Sequence, residues 1–334
     1  MAKPVKAVTY ADIMDSDDGT ADIDCSNKGL TSLEGCPEKV KGNFNCSGNK
    51  LTTLEGGPKN IKGDFNCSGN LLKTLEGGPE EVKGDYDCSN NQLTTLQDCP
   101  AFVMGDFTCA GNQLTTLQGE IFSSKGSKPA RCLEIVEGDF NCSGNQLQNL
   151  EGSPKLVGGD YDCSNNQLTC LEKCAVVIAG DFSCTGNQLM SLDGAPRHVA
   201  GNFDCSNNKL ASLKGSLKKV NGDFNCSGNE LISLKGAPEE VKAFDCSHNQ
   251  LTSLKRGPEK VKGHFDCSSN QINSLKSAPK KVKGHFNCSS NQLTILECGL
   301  KKVGGDFICT ENTNPFTEEQ VRSAYQVKGN CIAE

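Results

Sequence analysis

Residues 40–54 read V-K-G-N-F-N-C-S-G-N-K-L-T-T-L, and the spacing of their apolar side chains decides the fold. Phe44 and Cys46 alternate with Asn43, Asn45 and Ser47, the two-residue period of a short half-buried strand. Leu51 and Leu54 then follow at spacings that no strand would give. This segment is one copy of a unit. Aligned on aromatic-x-Cys, the chain carries cysteines at 25, 46, 67, 88, 109, 142, 163, 184, 205, 226, 246, 267, 288 and 309. The step is 21 residues almost throughout; the exceptions are 33 between Cys109 and Cys142, an insertion of 12, and 20 into Cys246. Such a period belongs to a solenoid whose copies bury their apolar face only against neighbours.

Composition agrees with many reuses of one small unit rather than with two or three globular cores. The 334 residues include no Trp, only 5% aromatics, 36 Gly and 21 Cys. The aromatic position runs without a break from Phe44 to Phe307, with Ile23 in the first copy. An asparagine row, Asn49, Asn70, Asn91 and on to Asn312, departs only in the first copy, at Lys28. A buried Asn has two donors and an acceptor to satisfy, so a stack of one per turn bonds backbone where the chain leaves its strand. The Asn row and the cysteine row, with Cys46, Cys67 and Cys88 as its second to fourth members, are therefore expected to be structural ladders.

Written out, the unit is aromatic-x-Cys-x-x-Asn-x-Leu-x-x-Leu, which resembles the leucine-rich repeat, with Phe or Tyr and Cys in two of the leucine places. The likeness is to the short, roughly 21-residue repeats of bacterial and bacteriophage leucine-rich proteins, and it spans residues 21–314. It implies a β-rich solenoid: a parallel sheet of about 14 short strands on one face, with irregular or extended turns on the other. A proline row from Pro37 to Pro279 presets φ in those turns and forbids a longer helix there. Residues 1–20 are expected to form an N-terminal cap, with a short helix near Tyr10–Met14, and 315–334 a C-terminal cap. In the latter, Thr317 and Gln320 read as a capping box for a helix of about Glu318 to Tyr325.

The fourteen row cysteines should point in parallel about 4.8 Å apart, as a reduced thiol ladder made in a reducing compartment. Cys36, Cys99, Cys132, Cys170, Cys174, Cys298 and Cys331 fall outside the row, and only Cys170 and Cys174, flanking one turn, are placed to pair in an oxidising environment. No C-x-x-C occurs and the four histidines are scattered, so neither a metal nor any cofactor is expected.

Two polar rows flank the aromatic. The row before it includes Asp85, Asp160, His264 and His285, and the row after it Asp87 and Asp162. They read either as a solvated face that keeps the sheet in water or as a line of oxygen ligands for cations. Charge is uneven: residues 200–302 hold 16 basic and 9 acidic side chains, a net of +7, against −11 for residues 1–199. That asymmetry invites head-to-tail association. The sequence pI of about 5.3 and the absence of basic-aromatic interleaving disfavour nucleic acid. No apolar run reaches membrane-spanning length and the first residues lack a secretory apolar core, so a cytoplasmic or virion-associated protein without membrane contact is expected.

A repeat copies one group along a line, whereas catalysis needs different groups converging on a point. The expectation is a non-enzymatic module that binds protein through its strand face or through the insertion at 119–131, where Phe122, Lys125, Lys128 and Arg131 are the first candidates. The alternative is a structural subunit assembling end to end into a filament or virion appendage. Relatives of this family that act as ubiquitin ligases carry a large extra domain, so the resemblance is not expected to bring that activity to residues 21–314.

Overall fold

The computed structural model describes residues 8–14, 19–119, 133–296 and 299–333. The chain clusters into two compact units, one of residues 1–167 with 173–178 and one of residues 168–172 with 179–334. Both are parallel β-solenoids with the period of the sequence. In the N-terminal unit the strands Ile23–Asp24, Phe44–Asn45, Phe65–Asn66, Tyr86–Asp87, Phe107–Thr108, Phe140–Asn141 and Tyr161–Asp162 pair in chain order. The C-terminal unit repeats this from Phe182–Ser183 through Phe203–Asp204, Phe224–Asn225, Phe244–Asp245, Phe265–Asp266 and Phe286–Asn287 to Phe307–Ile308. A further strand, Cys331–Ile332, adds to it with Cys331 in register with Phe307. This last turn was not foreseen, because its aromatic place is held by a cysteine.

The insertion leaves the ladder unbroken: Phe107 faces Phe140 and Val103 faces Val136 across it. Phe122, Lys125, Lys128 and Arg131 lie outside the described residues.

The turns opposite the aromatic strands are more regular than expected. Their Val row builds a second parallel ladder, Lys39–Val40, Asn60–Ile61, Glu81–Val82, Phe102–Val103, Ile135–Val136, Leu156–Val157 and Val177–Ile178 in the N-terminal unit. Glu240–Val241, Lys260–Val261, Lys281–Val282, Lys302–Val303 and Gln326–Val327 form its counterpart in the C-terminal unit. In each pair the Val or Ile points inward and its predecessor outward, so one turn buries Val40, Phe44, Cys46, Leu51 and Leu54 at no more than 1% exposure. Ring centroids of successive aromatics lie 5.0–6.2 Å apart from Phe44 to Tyr161 and 5.1–5.7 Å apart from Phe182 to Phe307. That range favours offset stacking.

Each strand is only two residues long because the chain turns sharply at Cys-Ser-x-Asn. The x residue takes a left-handed conformation in every copy: Gly48, Gly69 and Gly144 have φ of 65°, and Asn90, Asn165 and Asn207 have φ of 54°. Glycine and asparagine tolerate this region best. The asparagine that follows ties two turns together. Asn70 Nδ2 donates to Cys67 O and to Cys46 O of the preceding turn, both at 3.0 Å, while its Oδ1 accepts the Leu51 N–H at 3.0 Å. Asn49 and Asn91 repeat the pattern.

All nineteen described cysteines are free thiols, and those of the row are fully buried. Several donate to the carbonyl one turn on, as Cys205 Sγ does to Asn225 O at 3.3 Å. Burial pushes up row thiols such as that of Cys25, to about 12, and those of Cys46, Cys88 and Cys205, which leaves them protonated and unreactive.

At the N-terminus the expected helix is a 3-10 turn, Tyr10–Asp12, capped by Thr9, with Tyr10 buried. The C-terminal helix spans Glu318–Ala324, and Thr317 and Gln320 form the reciprocal capping box. Tyr325, just beyond it, sets its ring 5.1 Å from that of Phe307 and so continues the aromatic column where Cys331 cannot.

Candidate functional site

The row before the aromatic is more than a solvated face. Each side chain accepts a hydrogen bond from the backbone N–H of its counterpart one turn on: Asp85 N–H to Asp64 Oδ1 at 2.9 Å, Asp106 N–H to Asp85 Oδ1 at 2.8 Å, and Asp160 N–H to Asp139 Oδ1 at 2.7 Å. The position therefore needs a short side chain with an acceptor, which explains Asp, Asn and His alike. His264 Nδ1 accepts from His285 N–H at 3.1 Å, and His285 Nδ1 from Asp306 N–H at 2.9 Å. The two imidazoles stack with centroids 4.6 Å apart. His285 Nδ1 also lies 3.2 Å from Asp306 Oδ2, so this nitrogen sits between a backbone donor and a carboxylate. Among the described residues no group of three or more His, Cys, Asp and Glu side chains is arranged to hold a metal ion.

The chain of acceptors breaks at the 20-residue copy. Its V-K-A-F replaces the usual V-K-G-x-F, so Ala243 has no acceptor to offer. Asp223 Oδ1 accepts no hydrogen bond and instead lies 3.4 Å from Lys242 Nζ.

The row after the aromatic folds back on its own turn. Asp87 Oδ1 accepts Ser89 N–H at 2.9 Å and Asp162 Oδ1 accepts Ser164 N–H at 2.8 Å. Sequence reading offered Asp85, Asp87, Asp160, Asp162, His264 and His285 as candidate binding residues. Asp85 shares a turn with Asp87 and Asp160 with Asp162, His264 and His285 stack on adjacent turns, and the side chains of Asp85, Asp87, Asp162, His264 and His285 each accept a backbone N–H.

Two aspartates of this row show what sets their charge. In Asp24 the bonds from Ser26 hold the carboxyl below the usual range. In Asp245 burial first, and the adjacent Asp266 carboxylate after it, push the carboxyl up although Ser247 N–H donates to it at 2.9 Å. A carboxyl raised in the folded state favours folding when protonated, and that contribution is lost as pH rises through its folded pKa. Asp245→Asn, which removes the like charge facing Asp266, is expected to stabilise the protein by about 0.5 kcal/mol at pH 7. At pH 3 the gain should vanish; thermal melts at the two pH values check it, and an equal gain at both would contradict this origin.

The surface that sequence reading missed is the outward side of the second ladder. In the N-terminal unit its outward residues begin polar, with Lys39, Asn60 and Glu81, and become apolar at Phe102, Ile135, Leu156 and Val177. Phe102 is 56% exposed, Met104 55%, Leu156 44% and Val176 46%. Phe102 and Met104 wall a hollow that Asn60, Glu80, Glu81 and Lys83 complete. The signal was available as the residue before each Val, but it becomes a surface only once those dipeptides are seen to pair.

No protein-family model matches the sequence, and no curated protein matches it. Solved structures do resemble the fold. YopM from Yersinia enterocolitica WA-314 aligns with a TM-score of 0.54 at 24% identity, over 87% of this chain and 69% of that one. YopM from Yersinia pestis, described as a leucine-rich effector protein, aligns with a TM-score of 0.51 at 23% identity, over 87% of this chain and 77% of that one. The fold is a short-period leucine-rich-repeat solenoid. In this leucine-rich-repeat chain the two apolar places of the strand are an aromatic and a cysteine. No helix among the described residues is long and apolar enough to cross a membrane.

Proposed function

We propose that this chain is a non-enzymatic, protein-binding leucine-rich-repeat module whose contact surface is the outward side of the second ladder in the N-terminal unit. The observation that carries this reading is the run of exposed apolar residues Phe102, Leu156 and Val177 on strands that pair in chain order, with Met104 and Val176 beside them. Contiguous exposed apolar surface marks interaction sites, and large apolar side chains supply most of the affinity where they become buried. Exposed Glu134 and Glu137 lie along its margin in sequence, so the partner is one that brings apolar anchors flanked by basic residues. The polar rows beside the aromatics support the same choice of face, since their acceptors already serve the fold. The leucine-rich-repeat likeness and the free thiols agree with a binding protein working in a reducing compartment.

Phe102→Ser with Leu156→Ser should leave the fold intact and weaken partner binding about 30-fold, the effect of losing about 2 kcal/mol. Affinity capture with the intact chain and the double variant, followed by titration of each captured protein, reads the difference. Partners retained equally by both would remove this face from consideration; the loss of partners on deleting residues 119–131 would move the site to the insertion. End-to-end assembly is the second reading, favoured by the net +7 over residues 200–302 against −11 over 1–199. Sedimentation at low and high salt tests it: a monomer at every ionic strength rules it out.

A further inference from the structure

In the C-terminal unit the outward side of the second ladder is basic instead of apolar, and one part of it is shaped. Strands Lys281–Val282, Lys302–Val303 and Gln326–Val327 are neighbours in register. Lys281 and Lys302 therefore stand in one outward column. Lys283, Gly304 and Lys328 follow the inward valines in a second, held by Gly304 N–H to Val282 O at 2.9 Å and Lys328 N–H to Val303 O at 3.0 Å. Glycine interrupts the second column. The result is a hollow rimmed by Lys281, Lys283, Lys302 and Lys328 with Gly304 in its lining. A Cβ at Gly304 would sit 2.1 Å from Lys283 O, so the backbone of the neighbouring turn keeps a side chain out of it.

Elsewhere on these ladders glutamates stand among the lysines. Glu81 lies 3.7 Å from Lys62 and 3.8 Å from Lys83, and Glu240 lies 3.9, 3.8 and 3.7 Å from Lys219, Lys260 and Lys262. Among the described residues no carboxylate comes within ion-pair distance of the four lysines around Gly304. Four like charges held together by the sheet register, with no counter-charge, raise the local potential and favour a dense anion.

We infer that this hollow binds a clustered phosphate group. The lining has no arginine fork for a planar carboxylate and no aromatic plane for a base, only mobile ammonium groups that read charge density. Lys283 and Lys328 are two strand spacings apart, about 10 Å, which admits two or three linked phosphates between them. A soluble polyphosphate and a lipid headgroup bearing several phosphates share this chemistry.

Calorimetric titration of the full chain with sodium tripolyphosphate at low and high salt tests the site. The fourfold variant Lys281→Gln, Lys283→Gln, Lys302→Gln, Lys328→Gln should weaken binding at least about tenfold, as loss of several phosphate contacts does. The control Lys39→Gln, Lys41→Gln, Lys62→Gln, Lys83→Gln removes the same charge from the N-terminal unit, touches none of the four lysines around Gly304, and should leave binding within about twofold of the unaltered chain. Absence of binding at low salt, or equal loss in the control, overturns the inference. Co-sedimentation with phosphatidylcholine vesicles carrying phosphatidylinositol bisphosphate, compared with vesicles of equal charge from phosphatidylserine, separates the sources. Selective sedimentation with the bisphosphate assigns a lipid headgroup; tripolyphosphate binding without sedimentation assigns a soluble ligand.

Discussion

Replacing Phe203 by Ala lowers the unfolding free energy by about 4 kcal/mol, among the largest effects available to a single substitution in this chain. Phe203 is fully buried, with ring centroids 5.1 Å from Phe182 and 5.2 Å from Phe224. Truncation opens a cavity and removes two ring contacts at once. The turns above and below cannot collapse into the space, because their spacing is set by the parallel ladder Phe182–Ser183, Phe203–Asp204, Phe224–Asn225. In a repeat array each turn is stabilised by its neighbours, so the loss concentrates there, and the amides from 182 to 225 should exchange hydrogen faster than those near Phe286. Urea unfolding with site-resolved exchange reads both. A loss below about 1 kcal/mol, or uniform acceleration of exchange, would show that the aromatic column is not the element joining the turns.

Asn166→Ala should cost about 3 kcal/mol, even though it removes fewer atoms. Its Nδ2 donates to Cys142 O at 3.0 Å, to Cys163 O at 3.2 Å and to Ser164 O at 3.1 Å, and its Oδ1 accepts Leu147 N–H at 3.0 Å. Asn166 and Leu147 are both buried, so water cannot replace these partners at no cost. Asn166→Asp discriminates further. It keeps the acceptor for Leu147 but turns a donor into an oxygen facing the carbonyls of Cys142 and Cys163, so it should be at least as damaging at neutral pH and partly relieved in acid, where the protonated carboxyl can donate. Equal midpoints for the unaltered chain and Asn166→Ala in urea would mean that backbone pairing alone joins the turns.

The rows that hold this solenoid together were legible because each repeats one residue type for one physical reason: aromatic, cysteine and leucine for burial, asparagine for the turn. The capping box at Thr317 and Gln320 was legible for the same reason, a local pattern with a local cause. What escaped depended on pairing between distant residues. Lys39–Val40 or Leu156–Val157 is too short to announce a strand, and becomes one only by lying beside its copy. The acceptor chain through Asp64, Asp85 and Asp106 likewise looked like a polar face, because a carboxylate meant for water and one meant for the next backbone N–H are the same letter. Tyr86 and Tyr161 carry a subtler case. Ser153 Oγ lies 2.8 Å from the Tyr161 hydroxyl, whereas the matching place beside Tyr86 is Gly78 and its hydroxyl finds no partner among the described residues. The exposed apolar run and the lysine hollow were unreadable in sequence for the same reason as the second ladder that displays them.

The bond from each backbone N–H to the side chain one turn earlier has a consequence for how such a gene can change. A 21-residue copy with Asp, Asn or His in this row supplies one donor to its predecessor and one acceptor to its successor, so duplication or deletion of such a cassette would heal its own junction, and chain length could drift by whole copies at little cost. A copy one residue short does not heal fully: in the 20-residue copy the strand ladder continues through Phe244, but Asp223 Oδ1 faces Lys242 where a backbone donor would stand.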